Sequence, residues 1–219
     1  MDSLGVYISA FKNILHGIKT RILRYFRLKK YLQNEKIKIY YGCGDVRQEG
    51  YINIDVRWTF AVDIIADMEW CSKKFHGKCQ EVYISHVLEH FDSPGKAMRD
   101  SSNTVLGALN LINSMLVPGG IVRIAVPDFR ALAELYIEGR FPLYPRLLGR
   151  LMGEQDYREN QHACAFDREF LEDCLKYCNF GSIEEWLPED EGFSRDSSFD
   201  RIEGRVTSLN LVARKLVTA

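Results

Sequence analysis

The chain has 219 residues, of which 46% are hydrophobic and 27% charged, with a formal net charge of -1. That size suits one α/β domain with some decoration and can bury a sizeable core, and the near-neutral balance argues against a chain built mainly to bind nucleic acid. No apolar run approaches the ~18 residues of a spanning helix, the six cysteines form no C-x-x-C pair, and the first residues carry no cleavable pattern, so the thiols read as reduced and the protein as cytoplasmic.

Between Asp2 and Glu35 there is no acid, while Lys12, Lys19, Arg21, Arg24, Arg27, Lys29 and Lys30 are basic. Phe11, Ile14, Leu15, Ile18, Ile22 and Phe26 recur at helical spacing, which predicts an amphipathic helix over 6–30. The chain thus divides into a basic N-terminal segment, 1–35, and a domain, 36–219. Three roles suit such a helix. It packs on its own domain, it lies on an anionic membrane surface through residues 1–34, or it binds RNA.

Short β-like runs follow at 37–41, 51–56, 62–66 and 81–85. The "VLEHF" after the fourth is helical or turning. Residues 104–116 have helical spacing, with Pro118-Gly119-Gly120 as its end. Residues 121–126 read as a fifth strand stopped by Pro127. Residues 130–150 are helix-prone, broken near Pro142 and Pro145, and 167–177 is another helix. Two last strands, 182–187 and 208–215, have no long helix between them and are expected to pair antiparallel. The polar "PEDEGFSRDSSFDRIEG" at 188–204 reads as loop. Strands alternating with helices imply a mostly parallel sheet with helices on both faces.

In such sheets ligands bind beyond the carboxyl ends of the strands. Gly42-Cys43-Gly44 ends the first strand, where glycine lets a ligand approach the backbone. Asp55 ends the second, where an acid accepts hydrogen bonds from two ribose hydroxyls. The dinucleotide pattern G-x-G-x-x-G fails at its third glycine, where Arg47 stands, and no helix fits between Gly44 and Tyr51 to face a diphosphate. A nucleoside without phosphates fits better.

Five features in order, "YYGCG", "INIDV", "IIADME", "VYISHVLEHF" and "MLVPGGIVRIAVPDF", resemble the class I S-adenosylmethionine-dependent methyltransferases. The nearest resemblance is to the small branch associated with surface-polysaccharide biosynthesis. It implies a Rossmann-like α/β fold of about seven strands, mostly parallel with the last antiparallel. It implies S-adenosyl-L-methionine as donor and S-adenosyl-L-homocysteine as product. It also implies that Gly42, Cys43 and Gly44, beside Tyr41, lie against the methionine part, and that Asp55, beside Val56, holds the ribose. Asp67 and the backbone of Met68 would meet the adenine, with Ser85 and His86 near the sulfonium. The implied acceptor is a sugar hydroxyl on a glycan or glycan precursor; DNA is not expected and RNA is disfavoured.

An oxygen acceptor must lose a proton, for which a nearby base contributes about 10²–10⁴-fold. His162 and His90 are candidates for base or acceptor contact. Asp128, just after the fifth strand, is a candidate for the acceptor wall, or else a helix N-cap. His86 to His90 spells H-x-x-E-H, nominally a metalloprotease motif, but those ligands need a continuous helix and His86 follows a strand. Some O-methyltransferases carry E-x-x-E-H here and a later His, and hold a divalent cation. By resemblance to them His86, Glu89, His90 and His162 form a metal cluster, with His86 favouring a borderline cation over Mg²⁺; the reading without metal is preferred. "GEQDYRENQH", with Gln155 and Tyr157, reads as a lid or as plain surface loop. Rival functions are a small-metabolite or RNA 2′-O-methyltransferase, metal-assisted or not, and a non-catalytic partner protein that keeps the fold.

Overall fold

The computed structural model describes residues 28–33, 36–95, 101–155 and 160–217. The helix expected over 6–30 therefore falls largely outside the described residues, as does Tyr157. Leu28 to Tyr31 are helical, and Leu28, Tyr31 and Leu32 pack partly buried against the core.

Five strands run parallel: β1 (Ile37–Tyr41), β2 (Ile52–Asp55), β3 (Ile64–Ile65), β4 (Cys79–Ser85) and β5 (Leu116–Pro127). After β6 (Phe180–Glu185) come a small hairpin, β7 (Arg201–Ile202) with β8 (Arg205–Val206), and then β9 (Ser208–Lys215). The main sheet has the order β3-β2-β1-β4-β5-β9-β6. β9 is antiparallel to both neighbours, β5 and β6. Seven strands with the last one reversed is the arrangement the sequence implied.

The helices are α1 (Met68–Lys74), α2 (Val105–Met115), α3 (Phe129–Ile137), α4 (Leu148–Met152) and α5 (Arg168–Tyr177). Four of them start on a side-chain cap, Asp67, Thr104, Asp128 and Asp167, each accepting from a first-turn N–H. Such caps fill donors that the helix itself cannot satisfy.

Successive strand residues point to opposite faces. Ile39 and Tyr41, Val82 and Ile84, Val122 and Ile124, and Leu209 and Leu211 join one apolar core with Cys71, Leu109, Ile112 and Leu175 of the helices. Tyr40 and Tyr83 belong to a second cluster, with Cys43, Val62 and Trp186. There Tyr40 stacks on Tyr83 at 4.6 Å, and Phe193 closes on Tyr83 at 4.7 Å. Both tyrosine hydroxyls donate to Asp196 Oδ2 at 2.7 Å, and Asp196 Oδ1 accepts from the N–H and hydroxyl of Ser198. On the same strands Glu81 takes the Tyr51 hydroxyl at 2.6 Å, Arg123 Nε at 2.8 Å and Lys38 Nζ at 2.9 Å. Burial pushes the Glu81 carboxyl up, but the Tyr51 hydroxyl and the Lys38 and Arg123 cations outweigh it and hold it below the usual range.

Two sequence expectations change, at 118–120 and at 188–204. Pro118-Gly119-Gly120 does not end the helix. α2 stops at Met115, and Leu116 already pairs with Cys79, so the three residues form the irregular start of β5, where the register shifts and Gly119 takes φ +75°. The helix-prone 130–150 run breaks near Pro142 and Pro145 as expected: α3 ends at Ile137, Gly139 at φ +66° follows, and α4 resumes at Leu148. The polar 188–204 stretch holds a 3₁₀ turn (Ser197–Phe199) and the β7–β8 hairpin.

Candidate active site

Two cavities open beyond the carboxyl ends of the parallel strands. The smaller, about 480 Å³, is walled by Tyr41, Asp55, Val56 and Arg57 from the β1 and β2 ends, with Val87 and Phe91 opposite. The larger, about 760 Å³, lies over Cys43, Ser85 and Pro127, with Arg150, Asp196 and Asp200 on its far side. Gly42, Gly44, His86, His162 and Ser197 line both.

The Gly-Cys-Gly turn is pinned to β2, since the Gly42 and Cys43 N–H groups both donate to the Ile54 carbonyl. Gly42 has φ +74°, and a Cβ there would stand 2.3 Å from Val87 Cγ2. Only glycine fits so close an approach. Asp55 is buried, and its two oxygens accept from the Gly44 N–H at 2.9 Å and the Arg57 N–H at 2.8 Å. Each oxygen retains a lone pair, so a vicinal diol finds two acceptors. Burial, with Asp55 nearby, pushes the Cys43 thiol up to about 12, so it stays protonated and inert.

Of the residues singled out in the sequence, Tyr41, Gly42, Gly44, Asp55, Val56, His86, His90 and His162 line the smaller cavity, and Cys43 and Ser85 the larger. Asp67 and Met68 line neither; Asp67 caps α1 through Trp70 N–H, and Met68 is buried in the core. Asp128 takes the second of its two expected roles, the helix N-cap. Its Oδ1 accepts from the Arg130 and Ala131 N–H groups, and it borders a separate cavity of about 200 Å³ beside Trp186. The capping role wins because the first turn of α3 offers it two donors. Sequence reading missed Arg57, Val87 and Phe91 in the smaller wall, and Arg150, Asp196, Ser197 and Asp200 in the larger. The second group comes from segments far along the chain, and no local pattern marks it.

The histidines meet around Glu89, in a 3₁₀ turn (Leu88–His90) after β4. Glu89 is fully buried; burial raises its carboxyl, yet His86, His90 and His162 together hold it below the usual range. His86 Nδ1 lies 3.3 Å from Glu89 Oε1, and its Nε2 lies 3.2 Å from Ser208 Oγ. His90 Nδ1 is 3.0 Å from the Gln161 carbonyl, and its ring meets His162 edge-on at 5.0 Å. Burial depresses His162, with only partial compensation by Glu89. One ligand atom each of Glu89, His90 and His162 lie within 4.8 Å of one another, a set that leaves out His86.

No family model matches the sequence, and no curated protein matches it. Solved structures do align. A SAM-dependent methyltransferase from Archaeoglobus fulgidus shares 17% identity over 98% of this chain and 100% of its own, with a TM-score of 0.46. The CurJ carbon methyltransferase shares 16% over 84% of this chain, at 0.48, and the overlap spans 50% of its length. The 16S rRNA (adenine(1408)-N(1))-methyltransferase from Catenulisporales acidiphilia shares 15% over 88% of this chain and 93% of its own, at 0.44.

Proposed function

We propose that this protein is an S-adenosylmethionine-dependent methyltransferase that methylates a sugar hydroxyl of a glycan or glycan precursor. The observation that carries this reading is the pair of cavities meeting at Gly42, Gly44, His86, His162 and Ser197. One of them offers a diol-binding carboxylate, Asp55, and no long helix start for phosphate. When bound, the cofactor supplies a methyl group already activated on a sulfonium. The chain's task is then chiefly alignment, an effect worth up to ~7–11 kcal/mol of barrier. Gly42 and Gly44 let the donor reach the shared wall, where the acceptor enters from the other side.

The larger cavity supports a polyhydroxylated acceptor. Asp45, Glu154, Asp196 and Asp200 supply acceptors, and Arg150, Arg195 and Arg201 supply donors, with the Phe199 ring beside them. Four carboxylates against three guanidiniums disfavour a polyanion such as RNA. Calorimetry with S-adenosylhomocysteine tests the donor site. Wild type should bind, and Asp55→Ala should weaken binding by roughly 1–3 kcal/mol by leaving buried ribose hydroxyls unpaired; a folded sample that does not bind overturns the reading. Tritium transfer from the donor to a panel of methyl glycosides tests the acceptor class. Peripheral membrane contact through residues 1–34 would suit a lipid-linked glycan, and sedimentation with anionic liposomes tests it.

A metal-assisted form of the same transfer is favoured by one observation. Glu89 Oε2 and His162 Nδ1 are buried without a hydrogen-bond partner, and Glu89 Oε1 has only the long 3.3 Å contact with His86 Nδ1. With His90 they offer one carboxylate and two imidazoles, a set suited to a borderline cation such as Zn²⁺. Transfer that survives thorough chelation dismisses this form.

A further inference from the structure

We propose that the loop between β2 and β3 docks this protein on an anionic lipid surface, with the Trp58 and Phe60 rings entering the headgroup layer and the basic residues ahead of β1 facing the lipid charge. A chain docked there meets an acceptor anchored in the bilayer; this last step rests on the methyltransferase reading, and the docking does not.

Trp58 is 62% exposed and Phe60 94%, and Val56 is half exposed. Apolar residues scattered singly over a surface are ordinary, but here an indole and a phenyl share one short loop. Their rings meet edge-on at 5.0 Å. Thr59, between them, turns inward. Its hydroxyl donates to the Gly44 carbonyl and accepts from the Ala61 N–H at 3.2 Å. The Arg47 guanidinium donates to the Ala61 carbonyl at 3.1 Å and to Asp63 at 3.0 Å. Both rings are thus left on the solvent side of a fastened loop, with little freedom to lose on insertion.

Charge selects the occupant. From Val56 to Val62 the loop carries Arg57 and no acid, and the stretch from Ser3 to Asn34 carries seven cations and no acid, in a chain whose net charge is -1. At the described end of that stretch Lys29 and Lys30 are exposed, while Leu28, Tyr31 and Leu32 pack against the core. Arg47, which braces Ala61, also feels the Tyr31 hydroxyl, after the larger pull of Asp63. This end of the basic stretch therefore lies on the loop's side of the domain. Cations facing anionic headgroups and aromatic rings at the interface are complementary signals, and either one alone gives only marginal attachment. A second copy of the chain would bring the same cations against one another in a two-fold contact, and an uncharged partner would leave them unanswered.

The loop also sits beside the chemistry. Val56 and Arg57 wall the smaller cavity, and Trp58 follows that wall by one residue. Thr59 holds the carbonyl of Gly44, which lines both cavities.

Fluorescence and sedimentation of the full chain with lipid vesicles test the docking. Of the three tryptophans, Trp186 is buried and Trp70 partly buried, so Trp58 is the one that reports insertion. On phosphatidylcholine vesicles that contain phosphatidylglycerol, emission should shift to the blue and be quenched by lipids brominated near the headgroup. Trp58→Phe should abolish both signals while sedimentation persists. Trp58→Ser combined with Phe60→Ser should lower partition about tenfold or more, with an unchanged denaturant midpoint because both side chains are exposed. Vesicles of phosphatidylcholine alone should bind far less. Partition of the double variant equal to wild type, or equal binding to the two kinds of vesicle, overturns the proposal. So does a wild-type dimer that the double variant converts to monomer, because the rings then serve a second copy. Calorimetry with S-adenosylhomocysteine on the same samples keeps the claims apart. Docking without cofactor binding sinks the methyltransferase reading and its bilayer acceptor, and cofactor binding without docking sinks the docking alone.

Discussion

Along β4, Val82 and Ile84 sit among leucines and isoleucines, while Glu81 and Tyr83, one residue away, sit among hydroxyls, carboxylates and guanidiniums. The first face is closed by α1, α2 and α5 through apolar contact. The second is closed by the stretch from Trp186 to Phe199, through aromatic rings and charge-assisted hydrogen bonds. Dispersion and hydration hold the first face and depend on volume. The second depends on matched donors and acceptors, where one wrong atom is costly. The larger cavity opens beside the second face, and Tyr40 and Asp196 belong to both.

Substitutions can break that contrast. Leu109, a fully buried residue of α2, should cost about 2–5 kcal/mol when cut to Ala, read from the denaturant midpoint, whereas Leu109→Met should cost less than about 1.5 kcal/mol. On the other face an isosteric change should not be tolerated. Asp196→Asn puts its NH2 either toward the two tyrosine hydroxyls or toward the N–H and hydroxyl of Ser198, and should cost about 2–3 kcal/mol; a cost near zero would show that the roof is held by its rings alone. The smallest effect is on pH. Glu81 titrates below its unfolded value, so its contribution is complete above about pH 4.3 and fades as pH falls through the folded value. Glu81→Gln should therefore flatten the acid side of the stability profile, and a slope unchanged by that variant would place the acid sensitivity elsewhere.

The same contrast governs what the sequence disclosed. Apolar alternation in "IKIYY" and "VYIS", and helical spacing from Val105, located the helix-covered face, because period alone decides which side is buried. The turn at Gly42 and the acid at Asp55 were legible because both are local to one strand–turn–strand unit. The polar face was not legible, since Glu81, Arg123 and Glu191 meet only through the fold. Pro118-Gly119-Gly120 misled because the same residues that stop a helix also accommodate an irregular strand start. Asp128 stayed open between cavity wall and helix cap, because nearness to a strand end does not say which N–H groups it will meet. In the sequence His86 reads as a cofactor neighbour; its two partners, three and 122 positions away, become visible only in three dimensions.

If the larger cavity takes the acceptor as proposed, then because Asp196 both fastens the roof and borders that cavity, selection cannot act on acceptor preference there without also acting on whether the chain folds. Lineages that change acceptor should therefore do so at positions such as Arg195, which is exposed on the cavity rim, and leave the aspartate next to it alone. Replacing that aspartate demands spare stability first, accumulated elsewhere in the molecule.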